Sequence, residues 1–100
     1  MNNFENRHRK KFLKILHKEL DELVNPNILE FGVSKKALST SIFLEKCEQK
    51  NGNLFSIDVI DYSYHFNSKR WVFLNCKDDD YEFIEKKIPD QFDIIYLDTI

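Results

Sequence analysis

Acidic side chains follow each of four short apolar runs in this sequence of 100 residues. They are Glu30 in NILEF, Asp58 at the end of LFSID, Asp78 and Asp79 shortly after WVFLN, and Asp98 at the end of FDIIYLD. A carboxylate can accept hydrogen bonds from both hydroxyls of a ribose, and it can accept one from the exocyclic amine of adenine. These five acids, distributed over the four apolar runs, therefore predict a site for an adenosine-containing ligand.

A single glycine, Gly32, follows the first apolar run in the stretch EFGVSKKALST. Glycine allows the backbone to approach a ligand closely. A dinucleotide loop has the pattern G-x-G-x-x-G and an ATP loop has G-x-x-x-x-G-K-[ST], and the sequence contains neither. Glu30, two residues before Gly32, suits a positive charge better than a pyrophosphate. The pattern favours a cationic cofactor, since sulfonium and amino groups are positive where a pyrophosphate is negative.

Helical and strand patterns alternate along the chain. The predicted elements are a helix over residues 4–24, a strand over 28–31, a helix over 37–50, a strand over 54–58, a link over 62–70, a strand over 71–75, a helix over 77–88 and a strand over 92–98. The first helix has an apolar stripe and ends before Pro26. The second is expected to bury Leu38, Ile42, Phe43 and Cys47, and the third to carry Asp78–Asp80 in its first turn.

Strands that alternate with helices and read as continuous apolar runs indicate a parallel sheet covered on both faces. The predicted fold class is α/β: a Rossmann-like three-layer sandwich with a truncated parallel sheet of about four strands in the order 3-2-1-4. Residues 1–25 form an N-terminal amphipathic helix, and residues 26–100 a partial cofactor-binding domain. In such sheets ligands bind at the carboxyl ends of the strands, where the acids lie. Asp93 begins its strand, so we expect a turn or surface pairing for it.

The stretches ILEFGVSKKALST, LFSIDVIDYS, WVFLNCKDDDYEFI and FDIIYLDTI resemble successive motifs of the class I S-adenosylmethionine-dependent methyltransferases. The resemblance covers positions 27 to 98. It implies that S-adenosylmethionine is the cofactor and that a methyl group passes to a small-molecule acceptor. It also implies that Glu30 and Gly32 line the methionine part of the cofactor, with Ser39 and Thr40 nearby.

The resemblance assigns roles to the remaining acids. Asp58 would hold the ribose hydroxyls, and Asp78 or Asp79 would contact adenine. Asp98 would face the reactive end of the cofactor and the acceptor, and it is the candidate catalytic residue, as a general base or an orienting group. No residue is assigned as a metal ligand.

The sequence departs from the family pattern in two ways. The loop after Gly32 lacks the second glycine that relatives carry near Lys35–Ala37, and only four strands precede Ile100. We therefore expect the N-terminal, cofactor-binding half of a methyltransferase, without the half that binds the substrate.

The formal net charge is −2, with two cysteines and no apolar run as long as a membrane span. These features predict a cytoplasmic protein with reduced thiols. The basic residues of the first helix are expected to form a solvated face, so binding to nucleic acid is disfavoured. We expect His8 and His17 at the surface, and His65 in an aromatic cluster that packs in the core or on an adenine.

Two other functions stay open. The chain could be a non-catalytic Rossmann-like remnant that serves as an assembly module, because the strand Phe92–Asp98 would present a free edge to a second copy or another partner. It could also be an unrelated nucleotide binder, which the missing glycines disfavour.

Overall fold

Four parallel strands form one sheet in a computed structural model, which describes residues 11–98 except 12, 13, 16 and 17. The sheet order is β3-β2-β1-β4, as predicted. The strands are β1 (Asn27–Phe31), β2 (Asn53–Asp58), β3 (Trp71–Asn75) and β4 (Ile94–Leu97). Because β1 pairs with β2 on one side and β4 on the other, the chain reverses its winding direction at β1. This reversal places a crevice at the carboxyl ends of the strands.

Helices connect the strands. An N-terminal helix, α1, includes residues 11, 14, 15 and 18–21. The others are α2 (Leu38–Lys50), a short 3-10 helix (Ser63–His65) and α3 (Tyr81–Lys87). Part of the predicted first helix, including His8, His17, Phe12 and Leu16, lies outside the described residues. Within the described part of the chain, no helix is long and apolar enough to cross a membrane.

The sheet has an apolar core on each face, because successive strand residues point to opposite sides. On one face Ile28 and Leu54 pack with Phe43 of α2 and with Leu20 of α1. On the other face Leu29, Phe55, Ile57 and Leu74 pack with Ile84 of α3. Helices therefore cover both faces, and the predicted α/β class is confirmed.

The predicted stop after α2 is made by Asn51 and Gly52. Asn51 adopts a left-handed backbone with φ of 57°, and its N–H donates to the carbonyl of Cys47. A Cβ on Gly52 would collide with the carbonyl oxygen and ring of Pro26. Only glycine therefore lets the chain pass this close to the residue that precedes β1.

Two predicted placements are wrong. Leu38 was expected to be buried, but it is 43% exposed. Ala37, with φ of 50°, turns the chain so that α2 begins at Leu38 and buries Thr40 instead. Asp78–Asp80 were expected in the first turn of α3. They precede that helix, because Lys77–Asp80 forms a turn in which the Asp80 N–H donates to the Lys77 carbonyl at 3.2 Å.

Candidate functional site

A cavity of about 590 Å³ lies at the carboxyl edge of the sheet. All four strand ends contribute to it, together with the first residue of α3. This volume falls in the range of pockets that bind cofactors and drug-sized ligands. Its lining consists of Phe31, Gly32, Ile57, Asp58, Val59, Cys76, Asp78, Asp79, Tyr81, Leu97 and Asp98.

Five of the eight predicted site residues meet at this cavity: Gly32, Asp58, Asp78, Asp79 and Asp98. They are separated by up to 66 positions in sequence, and the parallel sheet brings them together. Four of the five are carboxylates, and no lysine, arginine or histidine is among the described residues that line the cavity. The site therefore presents negative charge on an otherwise largely apolar surface.

The Asp58 carboxylate is held in place by backbone groups. Its Oδ2 accepts a hydrogen bond from the Val33 N–H at 2.9 Å, and its Oδ1 accepts one from the Ile60 N–H at 3.0 Å. An ionised carboxylate has about four acceptor sites, so both oxygens can still accept a hydroxyl from a ligand. Asp58 thus ties the loop after β1 to the end of β2 and keeps its remaining acceptor sites oriented.

Gly32 has a structural reason to be glycine. Its φ is +97°, and a Cβ at this position would lie 2.5 Å from the backbone oxygen of Asp98. The Gly32 N–H donates to the Ile57 carbonyl, and the Asp98 N–H donates to the Phe31 carbonyl, both at 2.8 Å. The missing side chain lets the ends of β1, β2 and β4 converge. Glycine was expected here so that a ligand could approach the backbone closely; in the structure it is the end of β4, at Asp98, that approaches Gly32.

Glu30, Ser39 and Thr40 do not line the cavity; they form a separate buried cluster on the α2 face. Glu30 is 0% exposed, since the strand alternation that turns Phe31 to the cavity turns Glu30 away. Its Oε1 accepts hydrogen bonds from Thr40 Oγ1 at 2.7 Å and from Ser56 Oγ at 2.8 Å. Its Oε2 accepts one from Ser39 Oγ at 2.8 Å. Their role as cofactor contacts stays a prediction from the resemblance.

Burial raises the pKa of the Glu30 carboxyl above its ordinary value of 4.5. The three hydroxyl bonds act against this effect, and the nearby Asp98 carboxylate adds to it. Removal from water disfavours the charged form, and no cation compensates among the groups that act on this carboxyl. Glu30 therefore binds a proton more readily than an exposed glutamate does.

The sequence reasoning missed Ser56, Trp71, Cys76 and Tyr81. Ser56 Oγ accepts a hydrogen bond from the Trp71 indole N–H at 2.9 Å, which extends the Glu30 cluster to β3. The sequence feature that could have identified Ser56 is its position as a polar residue in the middle of the apolar run LFSID. Cys76 and Tyr81 line the cavity, and burial raises the pKa of the Cys76 thiol.

The aromatic residues of the link after β2 stack on one another. The Tyr62 and His65 rings are stacked with centroids 5.4 Å apart, and the Tyr64 and His65 centroids are 4.6 Å apart. Phe66 packs edge-on against Trp71 at 5.3 Å. This cluster does not line the cavity: Phe66 packs against the core, whereas Tyr64 is 71% exposed. His65 Nε2 is buried with no hydrogen-bond partner in the described part of the chain.

In the described ranges, no group of three or more histidine, cysteine, aspartate or glutamate side chains could hold a metal ion. Asp93 lies at the opposite edge of the sheet, where its Oδ2 accepts a hydrogen bond from the Asn27 N–H at 2.9 Å. This bond fixes the start of β4 against β1.

Comparison of the chain with protein-family models, with curated proteins and with solved structures finds no match. The resemblance to methyltransferases therefore rests on the motifs of the sequence alone.

Proposed function

We propose that this chain binds S-adenosylmethionine and forms the cofactor-binding part of a methyltransferase. One observation carries the proposal: a single cavity of cofactor size collects Gly32, Asp58, Asp78, Asp79 and Asp98 at the carboxyl edge of a parallel sheet. These residues come from four separate strand ends, and each had been selected from sequence for the same ligand.

The charge of the cavity selects among adenosine cofactors. A dinucleotide or nucleoside triphosphate would place phosphate groups against four carboxylates, and like charges repel. S-adenosylmethionine carries a sulfonium and an ammonium group, which carboxylates attract. An acidic cavity without a basic lining residue therefore supports a cationic cofactor over a phosphorylated one.

In this proposal each residue binds a different part of the cofactor. Asp58 accepts the ribose hydroxyls with the acceptor sites that Val33 and Ile60 leave open. Asp78 or Asp79 accepts the adenine amine, and the apolar part of the lining excludes water from the base. When bound, the cofactor supplies an electrophilic methyl group.

Asp98 is the residue we propose for the acceptor. Its position beside Gly32 at the end of β4 places it on the cavity wall next to the β1 loop. It can orient a hydroxyl or ammonium group of a small molecule, or take its proton. A positioned base typically contributes about 10²–10⁴-fold to such a reaction.

Isothermal titration calorimetry with S-adenosylmethionine tests the proposal. The informative variants are Asp78→Asn and Asp79→Asn, because the structure gives these exposed carboxylates no partner whose loss would disturb the fold. Asp90→Asn is the matched control, since Asp90 is an exposed aspartate at the opposite edge of the sheet, between α3 and β4.

We expect the wild type and the Asp90→Asn variant to bind with equal affinity, and one or both cavity variants to bind about tenfold more weakly, the loss of one charged hydrogen bond. A folded wild type that releases no heat with the cofactor would contradict the proposal. Equal binding by all four proteins would also contradict it, because the cavity would then not be the site.

A second function, that of an assembly module, is favoured by the edge strand β4. Ile95 and Leu97 are 60% and 62% exposed, and β4 pairs only with β1 in the described structure. An uncovered apolar edge strand can add a strand from a second copy. Sedimentation equilibrium of the wild type and of Ile95→Lys tests this function. A dimer that the lysine disrupts would support assembly, and a monomeric wild type would refute it.

A further inference from the structure

The buried Glu30 cluster joins three elements of the fold. Glu30 belongs to β1, Ser56 to β2, and Ser39 and Thr40 to the first turn of α2. All three hydroxyls donate to the two oxygens of one carboxylate at 2.7 to 2.8 Å. Glu30, Thr40 and Ser56 are each 0% exposed. The carboxylate is therefore enclosed, and both of its oxygens accept hydrogen bonds from the protein itself.

The N-cap of α2 makes no side-chain capping hydrogen bond in the described structure. The N-cap residue is Ala37, which cannot accept a hydrogen bond from the helix as serine or aspartate would. The hydroxyls of Ser39 and Thr40 point back to β1, where Glu30 receives them. Glu30 thus fastens the start of the helix across a gap of 9 and 10 residues in sequence.

The loop between these fastened ends is held under strain. Ser34 and Ala37 adopt positive φ angles of 71° and 50°, a backbone conformation that is unfavourable for residues with a Cβ. The Val33 side chain is 0% exposed, and its N–H donates to Asp58. Gly32, the residue of this loop that lines the cavity, is bonded to Ile57 and begins a loop that would relax if its α2 end came free.

We propose that Glu30 is a positioning residue: its carboxyl group, by receiving the hydroxyls of Ser39 and Thr40, fixes the loop of residues 32–37 at the rim of the acidic cavity without touching the ligand. The inference rests on the proposed function of that cavity. It differs from the role that the resemblance implies, in which Glu30 lines the methionine part of the cofactor.

Two substitutions of Glu30 distinguish a positioning role from direct contact with the cofactor, because one changes the charge of the side chain and the other its length. Glu30→Gln removes the charge but keeps the length of the side chain, and its oxygen can still accept from Thr40 and Ser56. Its amide can donate to Ser39, whose half-buried hydroxyl can turn to solvent. Glu30→Asp keeps the charge but withdraws the carboxyl group by about 1.5 Å, the length of one C–C bond. The lost reach takes the hydroxyl bonds beyond hydrogen-bonding distance.

The first measurement is the affinity for S-adenosylmethionine by calorimetry. We expect Glu30→Gln to bind like the wild type, and Glu30→Asp to bind about tenfold more weakly, as for loss of a residue that orients a binding group. Thr40→Val should also bind more weakly, because valine has nearly the shape of threonine but lacks the hydroxyl donor. Thr40 is fully buried, so this loss cannot come from a direct contact with the ligand. Glu45→Gln, on the exposed side of α2, is the control for loss of a glutamate charge.

The opposite order would overturn the proposal. If Glu30→Gln loses at least as much affinity as Glu30→Asp, the charge itself acts on the ligand. If Thr40→Val binds like the wild type, the hydrogen bond from Thr40 to Glu30 does not position the loop.

A second measurement needs no ligand, so it separates this inference from the proposed function. Trp71 is the only tryptophan of the chain, and two hydrogen bonds link its indole N–H to the Glu30 carboxylate through Ser56. In ¹H–¹⁵N spectra, Glu30→Gln should leave the amide signals of Val33 and Ala37 near their wild-type positions. Glu30→Asp and Thr40→Val should shift both these amide signals and the indole signal. Unmoved loop amides in those two variants would refute the anchor, whatever the cofactor affinity.

Discussion

The buried carboxyl of Glu30 should make the stability of the fold depend on pH. Its pKa is raised in the folded protein, chiefly by burial, and has its ordinary value in the unfolded chain. The folded state therefore holds the proton more tightly than the unfolded state does. The stabilisation that this provides is complete below the ordinary pKa of 4.5 and is lost as the pH rises through the folded pKa.

The magnitude follows from proton linkage. One titrating group changes the free energy of unfolding by at most about 1.4 kcal/mol per pH unit between its unfolded and folded pKa values. Glu30→Gln lacks this titration, whereas the two proteins share every other side chain. The free energy of unfolding of the wild type minus that of Glu30→Gln should therefore fall with rising pH above 4.5 and then become constant.

Urea unfolding followed by Trp71 emission measures this difference across a series of buffers from about pH 4 to pH 8. The same pair in an Asp98→Asn background adds a control, because the Asp98 charge raises the pKa of Glu30. There the fall should end at a lower pH. A stability difference that does not change with pH would refute the reasoning. One that rises with pH would mean that the three hydroxyl bonds outweigh burial.

Three further substitutions test other contacts. Gly32→Ala should lower the free energy of unfolding by at least about 1–3 kcal/mol, because of its positive φ and the approach of the Asp98 oxygen, and an unchanged urea midpoint would contradict this. Leu20→Ala should cost about 2–5 kcal/mol in the same assay, since Leu20 is 0% exposed, and a loss below about 1 kcal/mol would show that α1 is not docked in the core. Ser56→Ala should shift the Trp71 indole signal upfield and lower stability by about 1–3 kcal/mol, and an indole signal at its wild-type position would refute that contact.

Much of the candidate site could be predicted from the sequence because the rule that places it is simple. Asp58 and Asp98 are the polar residues that end their apolar runs, and parallel strands bring their carboxyl ends to one edge. Asp78 and Asp79 also reach the cavity, although the helix that was expected to carry them starts later, at Tyr81. The turn that precedes α3 keeps them at the strand end, so the error in the helix boundary did not move them from the site.

The sequence by itself determined the α/β class, the strand order and the edge that holds the acids. Apolar periodicity is a local property, and right-handed crossovers leave few topologies for four parallel strands. The tertiary structure alone decided which acid faces the cavity. Glu30 and Phe31 are neighbours on opposite faces of β1. The buried Glu30 carboxyl group is stabilised by three hydroxyl groups, and one of these belongs to Ser56, 26 residues away. A local pattern cannot reveal such a partner, because only the packed sheet brings it within hydrogen-bonding distance.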